Sequence, residues 1–169
     1  MLLEIMENMK FLHENYLEVG ILGDGGSVDG KQEVTILEYG IINEFGSQKV
    51  KNRPPARAFM RNAIYSNSEA ISKEIQKKIN EIMAGNLTGR EAMIGLGLYL
   101  QGLVSKSIIN ASSWADENAE STKKSKSKVS PNRNKPLIME GYLYKSIRFK
   151  IVSETGNLVY ISDWSNVGG

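Results

Sequence analysis

The spacing of apolar residues changes once along this chain, and the change limits the folds open to it. For most of the first 110 positions apolar residues recur every three or four residues, the repeat of a helix with one buried face. Beyond a polar, basic stretch the repeat becomes two. Ile147, Phe149 and Ile151 alternate with Arg148 and Lys150, Gly156-Asn157 supplies a turn, and Leu158-Val159-Tyr160-Ile161 follows. Helices followed by a C-terminal β-hairpin predict an α+β fold, with long central helices packed on a small antiparallel sheet. A length of 169 residues is that of a single domain, 1–169, with one modest core.

Within the helical part, Leu2, Ile5, Met9 and Leu12 predict a short amphipathic helix, and Leu17 to Leu22 alternates imperfectly, like a strand. Gly23 to Gly30 is a turn by composition. Val34, Leu37, Ile41, Ile42 and Phe45 share one face of a helix over 33–45, and Gly46 sits where a left-handed cap would end it. Pro54-Pro55 imposes an extended approach to a long helix over 56–83. Thr88 and Glu91 form a capping box for a further helix that ends near Ile109 or Asn110.

Several chemistries are excluded or unsupported. Cysteine is absent, so disulfides, thiolate metal sites and a cysteine nucleophile cannot form, and His13 is the one histidine. A serine triad would have to use His13, yet no glycine-flanked serine elbow accompanies it. Gly95-Leu96-Gly97 lacks the third glycine of a dinucleotide fingerprint, because Leu100 stands in its place, so glycines 95, 97 and 102 read as positions of close helix–helix or subunit contact. Asp24 and Asp29 lack the alternating oxygen ligands of a calcium loop. Glu38 and Glu44 read as solvated helix positions rather than glycosidase acids. No catalytic residue, metal or cofactor is assigned. Glu4 and Glu7 interrupt any signal-like apolar run, and the uncharged stretch Ala92–Ser105 is too short for a membrane span.

Charge is concentrated in one place. Ser121–Lys135 carries Lys123, Lys124, Lys126, Lys128, Arg133 and Lys135 with no acid; six positive charges against a whole-chain net of +2 leave −4 elsewhere. With almost no apolar residue to offset the entropy of ordering, residues 112–135 read as a flexible basic loop or arm.

Two segments resemble the small virion-morphogenesis proteins of tailed bacteriophages, the group of neck, head–tail joining and tail-completion proteins. The first runs from Val19-Gly20-Ile21-Leu22 through Glu38-Tyr39-Gly40-Ile41-Ile42-Asn43-Glu44-Phe45-Gly46 to Pro54-Pro55-Ala56-Arg57-Ala58-Phe59-Met60-Arg61. It is similar to that family's strand, its A-x-x-N-E-F-G helix end and its P-x-R-P-F-x-R segment. The second, Lys135-Pro136-Leu137-Ile138-Met139-Glu140-Gly141-Tyr142-Leu143-Tyr144-Lys145-Ser146-Ile147, resembles the family's K-P-L-I-D-T-G-x-L-x-x-S-I. Met139-Glu140 departs from the usual Asp-Thr, and Ala58 from a frequent proline.

The resemblance implies a non-enzymatic subunit of a six- or twelve-fold ring at the head–tail junction, assembled in the bacterial cytoplasm and carried in the virion. Its partners would be copies of itself and other neck and tail proteins, with the basic arm against a neighbouring protein or the packaged DNA in the channel, and no membrane. A tail terminator capping the tail tube is the close alternative. Candidate partner-binding residues are Glu44, Phe45, Arg57, Phe59, Arg61, Lys123, Lys124, Lys126, Lys128 and Arg133. Arg57 and Arg61, one helical turn apart, are placed to bridge to a neighbour's acids, and Phe45 and Phe59 are expected to be partly buried near each other. Gly141 is expected to supply a tight turn that buries Leu143 and Ile147. From other classes, a nucleic-acid binder would use the lysine-rich stretch, although it lacks interleaved aromatics, and a hydrolase would need His13.

Overall fold

The computed structural model describes residues 1–23, 34–47, 55–128, 134–138 and 141–162. In chain order the elements are α1 (Leu2–Glu14), β1 (Asn15–Ile21), α2 (Ile36–Phe45), α3 (Phe59–Ser66), α4 (Ser68–Met83) and α5 (Gly89–Ile109). A 3-10 turn (Ala111–Ser113), α6 (Glu120–Lys126), α7 (Tyr142–Lys145), β2 (Ile147–Ser153) and β3 (Leu158–Ile161) follow. The class is α+β, with one three-stranded sheet ordered β1-β2-β3. The chain forms two compact units, one from Met1–Gly20, Ser66–Gly102 and Arg148–Gly169, the other from Ile21–Tyr65 and Leu103–Ile147. Each is assembled from pieces separated in sequence, so neither is a contiguous stretch of chain.

The first unit holds the sheet. The β2–β3 hairpin is antiparallel, with Lys150 opposite Ile161, Ile151 opposite Tyr160, and a bulge before Val152 meets Leu158. Gly156, at φ +85°, makes the turn. Alternation decides the faces: Phe149 and Ile151 are fully buried, while Lys150 turns out to pair with Glu18 of β1 at 2.8 Å. Phe149 stacks on Tyr160 with centroids 5.5 Å apart, and a Cβ on Gly97 would overlap the Phe149 ring. Gly97 therefore admits an aromatic ring from a strand to the helix backbone rather than a second helix, and Gly102 has open space.

Helices of this unit begin where side chains satisfy free backbone donors. Thr88 Oγ1 accepts from the Glu91 N–H at 3.2 Å, and the Glu91 carboxylate accepts from the Thr88 N–H at 2.9 Å, the expected capping box. The Thr88 hydroxyl and N–H both donate to Glu91 and hold its carboxyl below the usual range. The long helix expected over 56–83 is two helices, interrupted at Asn67 (φ −121°, ψ 15°). Ser66, Asn67 and Ser68 stand at the break, three residues in a row of a type that is poorly suited to a helix interior. By length and composition α5 is long and apolar enough to cross a bilayer, longer than the uncharged stretch within it. Ala92, Met93, Gln101, Val104 and Ile108 of α5 are nonetheless buried within the fold.

The second unit packs α2, α3, α6, α7 and the last turns of α5 around Ile36, Phe59, Ala63, Ile108, Leu137 and Leu143, all buried. The helix expected over 33–45 begins at Ile36. Thr35 caps it, its hydroxyl accepting from the Glu38 N–H at 3.1 Å while Glu38 accepts from the Thr35 N–H at 2.8 Å. Gly46 ends the helix at φ +72° and ψ 177°, so the glycine expected there is required, although its ψ is not that of a left-handed cap. Part of the stretch expected to be a loop is helical, as α6: Glu120 lies in its first turn and Lys123, Lys124 and Lys126 in its last, the charge order that a helix dipole rewards.

Candidate assembly surface

Helix α3 starts after Ala58, which has no side chain able to cap it, and the cap comes from 16 residues upstream. Glu44 is buried at the end of α2, and its carboxylate accepts the Met60 N–H at 2.9 Å and the Arg61 N–H at 3.1 Å. These are the second and third donors of α3, which otherwise have no partner within the helix. Arg61 closes the arrangement from its side chain, Nε donating to Glu44 Oε1 at 3.0 Å and Nη2 to the Glu44 carbonyl. Glu44 is thus not the solvated helix position expected. It couples the end of one helix to the start of the next.

Phe45 goes the other way. Asn43 and Glu44 face inward at the end of α2, and Phe45, a further turn of about 100° round the helix, lies outside that buried face. Phe45 is 68% exposed and its ring lies 5.2 Å below the Arg61 guanidinium, whereas Phe59 is buried to 1% exposure. The two phenylalanines expected to be buried near each other therefore have different roles: Phe59 in the core, Phe45 on the surface under a cation.

Arg57 and Arg61 are engaged by groups of their own chain. Arg57 Nε donates to the Asp116 carbonyl at 3.0 Å and Nη2 to the Glu117 carbonyl at 2.9 Å, fastening the segment before α6 to the approach to α3. Lys126 is buried on the far turn of α6, where Nζ donates to the carbonyls of Lys135 at 2.8 Å and Ile138 at 2.7 Å. Between those carbonyls lies Leu137, buried and at φ +60°, a left-handed conformation costly for a branched residue. Asn118 Nδ2 also donates to the Lys135 carbonyl, at 3.2 Å. Among the described residues no acid pairs with Lys126. Burial, with repulsion from Arg57, pulls its ammonium pKa from 10.5 down to about 8.

The remaining cations divide. Lys123 pairs with Glu120 at 3.0 Å and Glu117 at 3.1 Å, and those bonds raise its pKa, Glu120 foremost. Lys124 and Lys128 are exposed; Arg133 lies outside the described residues. The charge counted in the sequence is therefore not presented as one outward patch: two of the four described lysines between 123 and 128 are held by their own unit.

Described parts of the two sequence segments singled out above meet in this unit, where α2 contacts α7. A Cβ on Gly40 of α2 would stand 3.6 Å from Leu143 Cδ1 of α7. Gly141, at φ +82° and ψ 8°, starts α7, and Leu143 and Ile147 are buried as expected. Ser105 Oγ donates to the Tyr144 carbonyl at 3.4 Å.

Elsewhere, chemistry-bearing groups do not gather. A cleft of about 340 Å³ in the first unit is lined by Glu4, Glu7, Asn8, Leu87, Thr88 and Glu91 among others, but Glu91 is occupied by the Thr88 cap and Glu4 by the terminal ammonium at 2.7 Å. His13 is exposed on α1. Among the described residues no three metal-ligating side chains converge, and Asp24 and Asp29 lie outside them. Sequence reasoning missed Thr35 as a cap, Lys126 as a buried clasp, and Gln101, whose fully buried amide has no hydrogen-bond partner among the described residues. The chain matches no protein-family model, no curated protein and no solved structure.

Proposed function

We propose that this chain is a non-enzymatic structural subunit of a tailed-bacteriophage virion, forming a ring at the head–tail junction that joins head to tail. One observation carries the reading. The described parts of 38–61 and 135–147, far apart in sequence and carrying most of the resemblance, belong to one compact unit, in which α2 contacts α7. The motif residues also have physical duties there: Glu44 and Arg61 fix the α2–α3 corner, Gly40 makes room for the Ile21 side chain against α2, and Gly141 starts α7. A rigid corner that leaves Phe45 and Arg61 outward is suited to a subunit contact rather than to turnover. Its partners are further copies and other neck and tail proteins. Polyanion binding by the lysine-rich stretch is the weaker reading, since Lys123 and Lys126 are engaged within the chain.

The test is genetic and structural together. Interrupting the reading frame in a phage that carries it should leave DNA-filled heads and finished tails unjoined in electron micrographs, with joining restored by the chain supplied in trans. Joined, infectious particles in its absence would overturn the proposal.

A further inference from the structure

Helix α6 and the chain that grips it are anchored in opposite ways. α6 contains no apolar residue, and at seven residues it is too short to persist by its own hydrogen bonds. Polar contacts at its two ends hold it. Arg57 fastens its root through the carbonyls of Asp116 and Glu117, Asn118 reaches the Lys135 carbonyl, and Lys126 on its last turn donates to the carbonyls of Lys135 and Ile138. The gripping chain is fixed by other means. Pro136, Leu137 and Ile138 are buried, none more than 8% exposed, so their own side chains keep it in place when α6 leaves. The grip itself is a strained turn: the Pro136 carbonyl accepts the Ile138 N–H at 2.7 Å across Leu137 at φ +60°, a γ-turn of the rare positive-φ kind. Such strain persists only where the surroundings enforce it, and here it brings one carbonyl from each side of the turn to a single ammonium.

We infer that α6 is a releasable arm, latched by Lys126 in the turn 135–138, which detaches as a unit from its root at the Arg57 contacts while the rest of the second unit stays folded. Elements with few buried apolar contacts open most readily, and α6 has none of its own to bury. The latch is also weaker than an ion pair, because carbonyls and not a carboxylate receive the ammonium. Release changes the surface. In the closed chain Lys124 and Lys128 are the exposed cations of the arm, while Lys123 is paired with Glu117 and Glu120, which travel with it. Opening adds Lys126, so the latch sets whether the arm presents two exposed cations or three.

The experiment is amide hydrogen exchange on the full chain, with rates corrected for sequence. In the parent, the α6 amides from Lys123 to Ser127 should exchange at least about tenfold faster than those of α3, whose Phe59 and Ala63 are buried. Lys126→Ala should speed the α6 amides by a further factor of about ten, the worth of one hydrogen bond from a charged donor, and leave α3 and the β2–β3 hairpin unchanged. Lys124→Ala, at an exposed position of the same helix, should leave the α6 rates within about twofold of the parent. Trypsin should nick the native parent within α6 and leave a chain that keeps its circular dichroism. The latch is overturned by α6 amides as slow as those of α3, by α6 rates that Lys126→Ala does not change, by a variant that speeds the whole second unit together, or by cleavage that occurs only as the chain unfolds.

Discussion

Replacing Glu44 with alanine removes the acceptor of two backbone N–H groups at the start of α3 and of the Arg61 Nε, at 2.9, 3.1 and 3.0 Å. A helix cap is worth about 1–2 kcal/mol, and hydrogen bonds to a charged acceptor about 1.5–3 kcal/mol each. They do not add. Arg61 is half exposed, so water takes over much of its solvation, and the expected loss is about 2–4 kcal/mol rather than the about 3–5 kcal/mol of breaking a fully buried pair. Glu44→Gln, which keeps the shape and one acceptor, should lose about half as much. Trp114 lies in the same unit, its indole N–H donating to the Ser107 carbonyl at 2.9 Å, and reports on it once Trp164 is changed to phenylalanine. Urea unfolding followed by Trp114 fluorescence should show the Glu44→Ala midpoint well below that of the parent. A shift worth less than about 0.5 kcal/mol, the range of ordinary surface substitutions, would refute the capping role.

Lys126 gives a pH signature. Its folded pKa of about 8 lies below the ordinary 10.5, so the unfolded chain binds more protons between these values and stability should rise with pH there, by up to about 2 kcal/mol from pH 8 to 9.5. The neutral amine still has two hydrogens for the two carbonyls, and above pH 10 half-buried Tyr39, whose hydroxyl is pushed up by desolvation, opposes the gain. Denaturation across this window should show the rise in the parent and not in Lys126→Met; a flat parent curve would contradict it. Gln101→Met should stabilise the chain by about 1–2 kcal/mol by removing an unpaired buried amide, and a loss of stability would reveal a partner for it. Gly97→Val should lower the melting temperature sharply because its side chain must displace the Phe149 ring, whereas Gly102→Ala, in open space, should not.

The parts of the fold legible in the sequence are those where local signals and packing agree. The capping box at Thr88, the period-two run around Phe149 and the turn at Gly156 were each visible because the residues that make each feature lie within a few positions of one another. The break at Asn67 was hidden: apolar spacing continues through it, and spacing reports a shared face, not an unbroken backbone. Glu44 and Lys126 were misjudged for one reason. Charge in a sequence reads as exposure, but a carboxylate facing a helix start and an ammonium facing two carbonyls are satisfied by partners 16 and about ten residues away, which no local window contains. Phe45 was misjudged with Glu44, because the buried face at the end of α2 is that of Asn43 and Glu44 rather than the apolar stripe.

Mass spectrometry of purified virions from a phage that encodes this chain tests the central claim most directly. The account predicts the chain in joined particles at a fixed ratio to the other head–tail junction proteins, a copy number matching a closed ring, and its loss when heads and tails are separated before joining. Abundant chain in the lysate but none in gradient-purified particles would contradict it.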